Sequence, residues 1–136
     1  MTDATDETLS VVVEREVAHA PEKIWRALTE PHLIEEWLMK NSFKPQVGHQ
    51  FSMGAEWGSI DCEVQTVEPN RTLAYSWGDS RLKSVVTWTL TPTQTGTRLR
   101  MEQVGFRPDQ PRYFQGARDG WPRFLARLDE VLDRMG

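Results

Sequence analysis

The sequence predicts an α+β fold in which a curved six-stranded antiparallel sheet wraps around one long C-terminal helix. Three observations carry this expectation. Between Val47 and Gly105 apolar residues recur at every second position, interrupted at short intervals by Gly, Pro, Asn and Asp. After Pro111 the period changes: Phe114, Ala117, Trp121, Phe124, Leu125, Leu128, Val131 and Leu132 form a helical stripe, with Arg123, Arg127, Asp129, Glu130 and Asp133 opposite. A sheet with one apolar face must cover that face, and only this last segment is long enough to do so.

Leu9 to Ala18, with Val11, Val12, Val13 and Val17, reads as a β-branched strand. Residues 21–38 read as two short helices in tandem. Pro21 and Pro31 each suit a helix start, and Ile24, Trp25 and Leu28, then Leu33, Ile34, Trp37 and Leu38, follow at helical spacing. Val47 to Ala55 places Phe51, Met53 and Ala55 on one face of a second strand, and Trp57-Gly58 reads as a turn. Ile60, Cys62 and Val64 alternate on the third strand, which Glu68-Pro69-Asn70-Arg71 ends. Leu73, Tyr75 and Trp77 share a face of the fourth, before a turn at Gly78-Asp79-Ser80. Val86, Trp88 and Leu90 share a face of the fifth, and Thr93-Gln94-Thr95-Gly96 closes a hairpin. The sixth, Thr97 to Gly105, turns Leu99, Met101 and Gln103 one way and Arg98, Arg100 and Glu102 the other. Phe106 to Pro111 ends the sheet.

The last helix carries its own breakers, Gly116, Gly120 and Pro122. An interior proline costs about 3 kcal/mol and a glycine up to about 1 kcal/mol. Two readings stay open: a helix that starts only near Pro122, after a loop, or a helix from Pro111 kinked near Gly120, whose first half can lift and open a mouth.

The length, 136 residues, suits one domain over residues 9–135, with residues 1–8 as a polar, flexible tail. A net charge of −4, from 16 basic and 20 acidic side chains, argues against nucleic acid or an anionic membrane as partner. No apolar run approaches the roughly 18 residues of a membrane span. The single Cys62 excludes an internal disulfide and suits the reducing cytoplasm, where the protein is expected. It reads as a small core hydrophobe. His19, His32 and His49 lack metal-type spacing and read as surface residues. With no phosphate loop or nucleophile elbow either, the sequence assigns no catalytic residue, metal or cofactor.

Six tryptophans are the compositional oddity. Phe51, Met53, Tyr75, Trp77, Trp88, Met101, Phe114 and Trp121 converge on the predicted interior, with Leu125 on the helix stripe and Trp37 and Trp57 near an entrance. Trp77 and Trp88 are expected in the wall of a cavity, Trp121 in its lid and Trp25 in the core. An apolar wall with few polar groups points to binding of a small hydrophobic or aromatic molecule, without catalysis. Gln103 and Arg15 are polar at inward positions, each either a satisfied internal contact or a ligand contact. If at least two of Gln103, Arg15 and Tyr75 converge on one point, a cyclase- or hydrolase-like enzyme becomes the alternative.

Several motifs together resemble a known superfamily. Ala20-Pro21-Glu22-Lys23-Ile24-Trp25-Arg26-Ala27-Leu28-Thr29-Glu30-Pro31 with Leu33 and Trp37 is similar to the opening of START-like (SRPBCC, helix-grip, birch-pollen-allergen-like) domains. Gly58-Ser59-Ile60, Val67 to Leu73, Val86 to Leu90, Gly96 to Leu99 and Gly120-Trp121 extend the match over nearly the whole chain. The branch resembled is that of the C-terminal domain of the activator of heat shock protein 90 ATPase. The resemblance implies a sheet gripping a long helix around a hydrophobic cavity. It implies a lipid or hydrophobic ligand, a chaperone partner or a stress-response role as alternatives, is compatible with a homodimer, and brings no universal catalytic residue.

Overall fold

The computed structural model describes residues 9–55, 58–79 and 81–135; Trp57 and the expected tail lie outside them, as does Ser80 of one expected turn. The elements are β1 (Leu9–Val17), α1 (Pro21–Thr29), α2 (Pro31–Trp37), β2 (Lys40–Asn41), β3 (Gln50–Ala55), β4 (Gly58–Glu68), β5 (Thr72–Gly78), β6 (Lys83–Pro92), β7 (Thr97–Phe106) and α3 (Pro111–Arg134). All described strands join one antiparallel sheet in the order β1-β7-β6-β5-β4-β3-β2. Short turns string β3 to β7 into a meander, because neighbours in sequence pair antiparallel most readily. The tandem helices carry the chain from β1 to the far edge, and α3 returns to pack on α2, α1 and β1.

The sheet has seven strands rather than the expected six. The additional strand, β2, is only two residues long and pairs with Met53 and Gly54. So short a segment shows no alternation, and side-chain hydrogen bonds hold it instead. The Asn41 amide donates to the carbonyls of Pro31 (3.1 Å) and Met39 (3.0 Å) and accepts from the Phe43 N–H (3.1 Å).

Helix α1 starts at Pro21, whose missing N–H sits where no helical partner exists, and buries Ile24, Ala27 and Leu28. The same device starts α2 at Pro31 and α3 at Pro111. Helix α3 runs without interruption through Pro122, which corrects the reading that it starts near that residue. Pro122 and Arg118 are both exposed, so the Arg118 carbonyl that loses its helical donor can bond to water instead. The residues buried in α3, Trp121, Leu125, Leu128, Val131 and Leu132, all lie on or after Trp121. Residues 111–120 are half-buried or exposed. Pro122 thus separates a firmly anchored half of the helix from a lightly held one.

At the end of β7 the inward alternation of Leu99, Met101 and Gln103 would send Phe106 outward. Gly105, with φ 125°, breaks it: the pairing slips between Leu9↔Phe106 and Ser10↔Val104, and Phe106 turns inward to full burial. A Cβ at position 105 would also press on the Lys83 carbonyl. The Gly105→Ala substitution is therefore expected to lower stability by about 1–3 kcal/mol in urea unfolding. An unchanged midpoint would show that the bulge carries no strain.

Candidate functional site

A cavity of about 350 Å³ lies between the sheet and the first half of α3. On the sheet side Ile60 of β4, Trp77 of β5, Leu82 of the β5–β6 turn and Gln103 and Phe106 of β7 form the wall. Tyr113, Ala117, Trp121 and Phe124 face them from α3, and Met39 closes one side. Gly116 and Gly120 also line the space. A Cβ at Gly116 would meet nothing within 4 Å, so these glycines leave the helix surface bare where the cavity needs room.

Behind the cavity the tryptophans pack against one another. Trp37 stands edge-on to Trp88 (centroids 5.5 Å apart), Trp88 to Trp121 (5.7 Å), and Trp121 leans on Trp77 (5.2 Å). Three indole N–H groups have partners: Trp37 donates to the Ala27 carbonyl (2.9 Å), Trp88 to the Tyr75 hydroxyl (3.0 Å) and Trp121 to the Gln103 amide oxygen (2.6 Å). The Gln103 amide nitrogen then donates to Ser84 Oγ (2.9 Å), which donates to the Trp77 carbonyl. A buried amide is tolerable only when bonded in this way. The chain also fixes which end of the amide faces Trp121.

Of the residues singled out by sequence, Trp77, Gln103 and Trp121 line the cavity. Phe114 packs edge-on behind Phe106, at 5.7 Å. Trp37, Met53, Trp88, Met101 and Leu125 are buried in solid core, and Phe51 and Tyr75 join Phe43 in a separate aromatic group. Trp37 is therefore part of the core rather than the entrance, and Trp88 supports the wall from behind; Trp57 lies outside the described residues. The reason is that helices α2 and the second half of α3 cover the middle of the sheet and fill it, while space is left beyond Trp121. Residues not foreseen include Met39, Ile60, Asp79, Leu82, Phe106, Tyr113 and Phe124. Leu82 and Tyr113 sit in a turn and a first helical turn, where no periodicity points inward. Phe106 needs the bulge.

Among Gln103, Arg15 and Tyr75 only Gln103 reaches the cavity. Arg15 bonds outside it to Asp129 (2.9 Å) and the Pro122 carbonyl (3.4 Å), and the Tyr75 hydroxyl accepts from Trp88. The convergence that a carbonyl-polarising enzyme would need from these three is not formed. Burial, and then the neighbouring Asp61 carboxylate, push the Cys62 thiol up to about 12. His32 is exposed; His19 and His49 are half-buried, at 3.0 Å from Asp133 and 2.8 Å from the Ser42 carbonyl. Among the described residues no three His, Cys, Asp or Glu side chains gather as a metal site. No described helix is long and apolar enough to cross a membrane.

The mouth is built by the β5–β6 turn. Asp79 Oδ1 accepts the N–H groups of Leu82 and Arg81 (2.7 Å each) and Oδ2 accepts the Tyr113 hydroxyl of α3 (2.9 Å). These bonds, the backbone ones foremost, hold the Asp79 carboxyl below the usual range, and the carboxylate pushes the Tyr113 hydroxyl up. The Gln110 amide adds a bond to the Arg81 carbonyl (3.0 Å). At Gly78 a Cβ would collide with the Leu82 carbonyl, so the turn can close this tightly only on glycine.

The family model described as Activator of Hsp90 ATPase homolog 1-like protein matches residues 18–133. Among curated proteins none matches the sequence significantly. Solved structures do. Protein MLL2253 from Mesorhizobium loti is 61% identical with a TM-score of 0.92, over 94% of this chain and 99% of that one. DynU16, a protein in the dynemicin biosynthetic locus, is 26% identical with a TM-score of 0.79, over 95% of this chain and 48% of its own. CalU16 from Micromonospora echinospora, 21% identical with a TM-score of 0.79 over 92% and 76% of the two chains, shares the fold.

Replacing Gln103 by Leu would strand the Trp121 N–H in an apolar setting, at an expected loss of about 1–3 kcal/mol. Urea unfolding followed by tryptophan emission measures it, and a loss well under 1 kcal/mol would show that the chain of bonds is dispensable. Cys62 is expected to resist iodoacetamide in the native protein at pH 8, since the thiolate forms only near pH 12, and to react at once in urea. Rapid native labelling, read by mass spectrometry, would contradict the burial.

Proposed function

The chain belongs to the family of Activator of Hsp90 ATPase homolog 1-like proteins, and from that premise we propose that it binds a small hydrophobic or aromatic molecule in the cavity under α3, without catalysis, in the cytoplasm. The observation that carries this reading is the cavity itself: about 350 Å³ of space, walled by Trp77, Trp121, Phe106 and Phe124, with the buried Gln103 amide among them. Such a volume lies at the lower end of ligand pockets, which run about 300–1,000 Å³ and combine apolar walls with a few fixed polar groups. The fold adds a means of entry. Residues 111–120 bury no side chain fully, and Pro122 weakens their link to the rest of α3, so they can lift without opening the core. DynU16 comes from a biosynthetic locus, which is in keeping with a small-molecule ligand.

The family description supports chaperone contact as a second reading. The outer face of β1 and β7, where Val12 and Val104 are exposed, is a surface it could use. Pull-down of a chaperone, lost on charging those two valines, would favour that reading over the first.

Calorimetric titration with neutral aromatic probes such as 1-methylnaphthalene tests ligand binding. The Gly116→Leu variant sharpens the test. A leucine there improves helix propensity, raising stability by about 0.5–1 kcal/mol, while its side chain occupies the mouth and should weaken binding at least about tenfold. Equal affinity in both proteins, or no binding by the wild type, would sink this assignment.

A further inference from the structure

The cavity carries an asymmetry of charge that bears on what enters it. Among the described residues its one charged lining residue is Asp79, at the mouth, and no described lysine, arginine or histidine lines it. Arg118 lies over the Phe114 ring (5.6 Å) and Arg127 over Phe124 (6.0 Å). Arg81, on the Asp79 turn, is the cation whose charge reaches Asp79 and Tyr113, but it does not line the cavity. Asp79 itself is locked in place, with both oxygens bonded to protein donors, so it cannot swing away from an incoming molecule. Deeper in, the lining is uncharged: the Gln103 amide, bonded to Trp121 and Ser84, sits among Trp77, Phe106 and Trp121.

Resting on the ligand-binding reading above, we propose that the cavity selects by charge: it takes a flat aromatic molecule that is neutral or carries a cationic amine, and it rejects carboxylates, fatty acids among them. A carboxylate inside would give up its water in an apolar space with no cation to replace it. One at the mouth would face Asp79. An ammonium group at the mouth pairs with Asp79 while keeping contact with solvent, which orients a cationic ligand with its amine outward and its ring among the aromatic walls.

Three naphthalene probes of matched size separate these properties by titration calorimetry at pH 7.5: 1-naphthylmethylamine, which is cationic, neutral 1-acetylnaphthalene and anionic 1-naphthoate. The amine and the ketone are expected to bind at least about tenfold more tightly than the acid, and the ratio of amine to acid should shrink in 500 mM salt. Asp79→Asn should bring that ratio close to one, since an asparagine oxygen still accepts the two backbone N–H groups that form the turn. A wild-type ratio near one, or a ratio untouched by both salt and Asp79→Asn, would overturn charge selection while leaving the cavity as a binding site. Binding of none of the probes, with 1-methylnaphthalene also inert, would overturn both readings.

Discussion

Where α3 crosses the sheet, the Trp121 indole reaches 2.6 Å to the Gln103 amide, and the amide passes the contact on to Ser84 and the backbone of β5. Four elements, α3, β7, β6 and β5, are tied through these side chains at a buried polar spot on the inner face of the sheet. An indole and a glutamine amide each need a partner once they leave water, so neither can be buried there without the other. This sets the separation of helix and sheet at Trp121. On one side of that point the layers close into solid core around Trp37, Trp88, Leu125 and Leu128. On the other they diverge, and the cavity occupies the gap.

The gap persists because the residues around it cannot collapse into it. Tightly packed interiors close small voids by moving side chains, but here the helix offers Gly116, Ala117 and Gly120, which have little or nothing to move. The aromatic wall opposite is braced by the helix, with Trp77 leaning on Trp121 and Phe106 on Phe114 of α3. The Asp79 turn, closed on Gly78 and bonded to Tyr113 and Gln110, holds the two sides apart at the rim. Space is maintained by small residues on one side and rigid ones on the other.

Much of this was legible in the sequence, and the exceptions have physical causes. Period-two alternation found the long strands, because each buries one face, and helical spacing found α3. Two-residue β2 escaped, since alternation needs length and its hold is the Asn41 side chain. Trp77, Gln103 and Trp121 were legible as lining residues because a polar residue among inward apolar ones is conspicuous. Phe106 was not, because its direction depends on the positive φ of Gly105 one residue earlier. Leu82 and Tyr113 reach the cavity from a turn and from a helix start, and their positions depend on contacts distant in sequence. Trp88 and Met101 share their strand faces with true wall residues, and only the three-dimensional course of α2 and α3 decides which part of each face is covered.

Strand β1 precedes the other described strands, yet its partner among them is β7, from Thr97 to Phe106, with α3 packing later still along its inner side. On a ribosome adding about 5–20 residues per second, β1 waits on the order of 5–20 s for that partner. During this time its Val11, Val12, Val13 and Val17 are an unpaired apolar strand, the kind of segment that other chains can capture. The meander from β3 to β6 can pair as it emerges, but the sheet's other edge is completed only once β7 has been made. The arrival of β7 and α3, more than any local step, then decides when this domain becomes folded, and a truncation that removes α3 would leave the inner side of β1 without that cover.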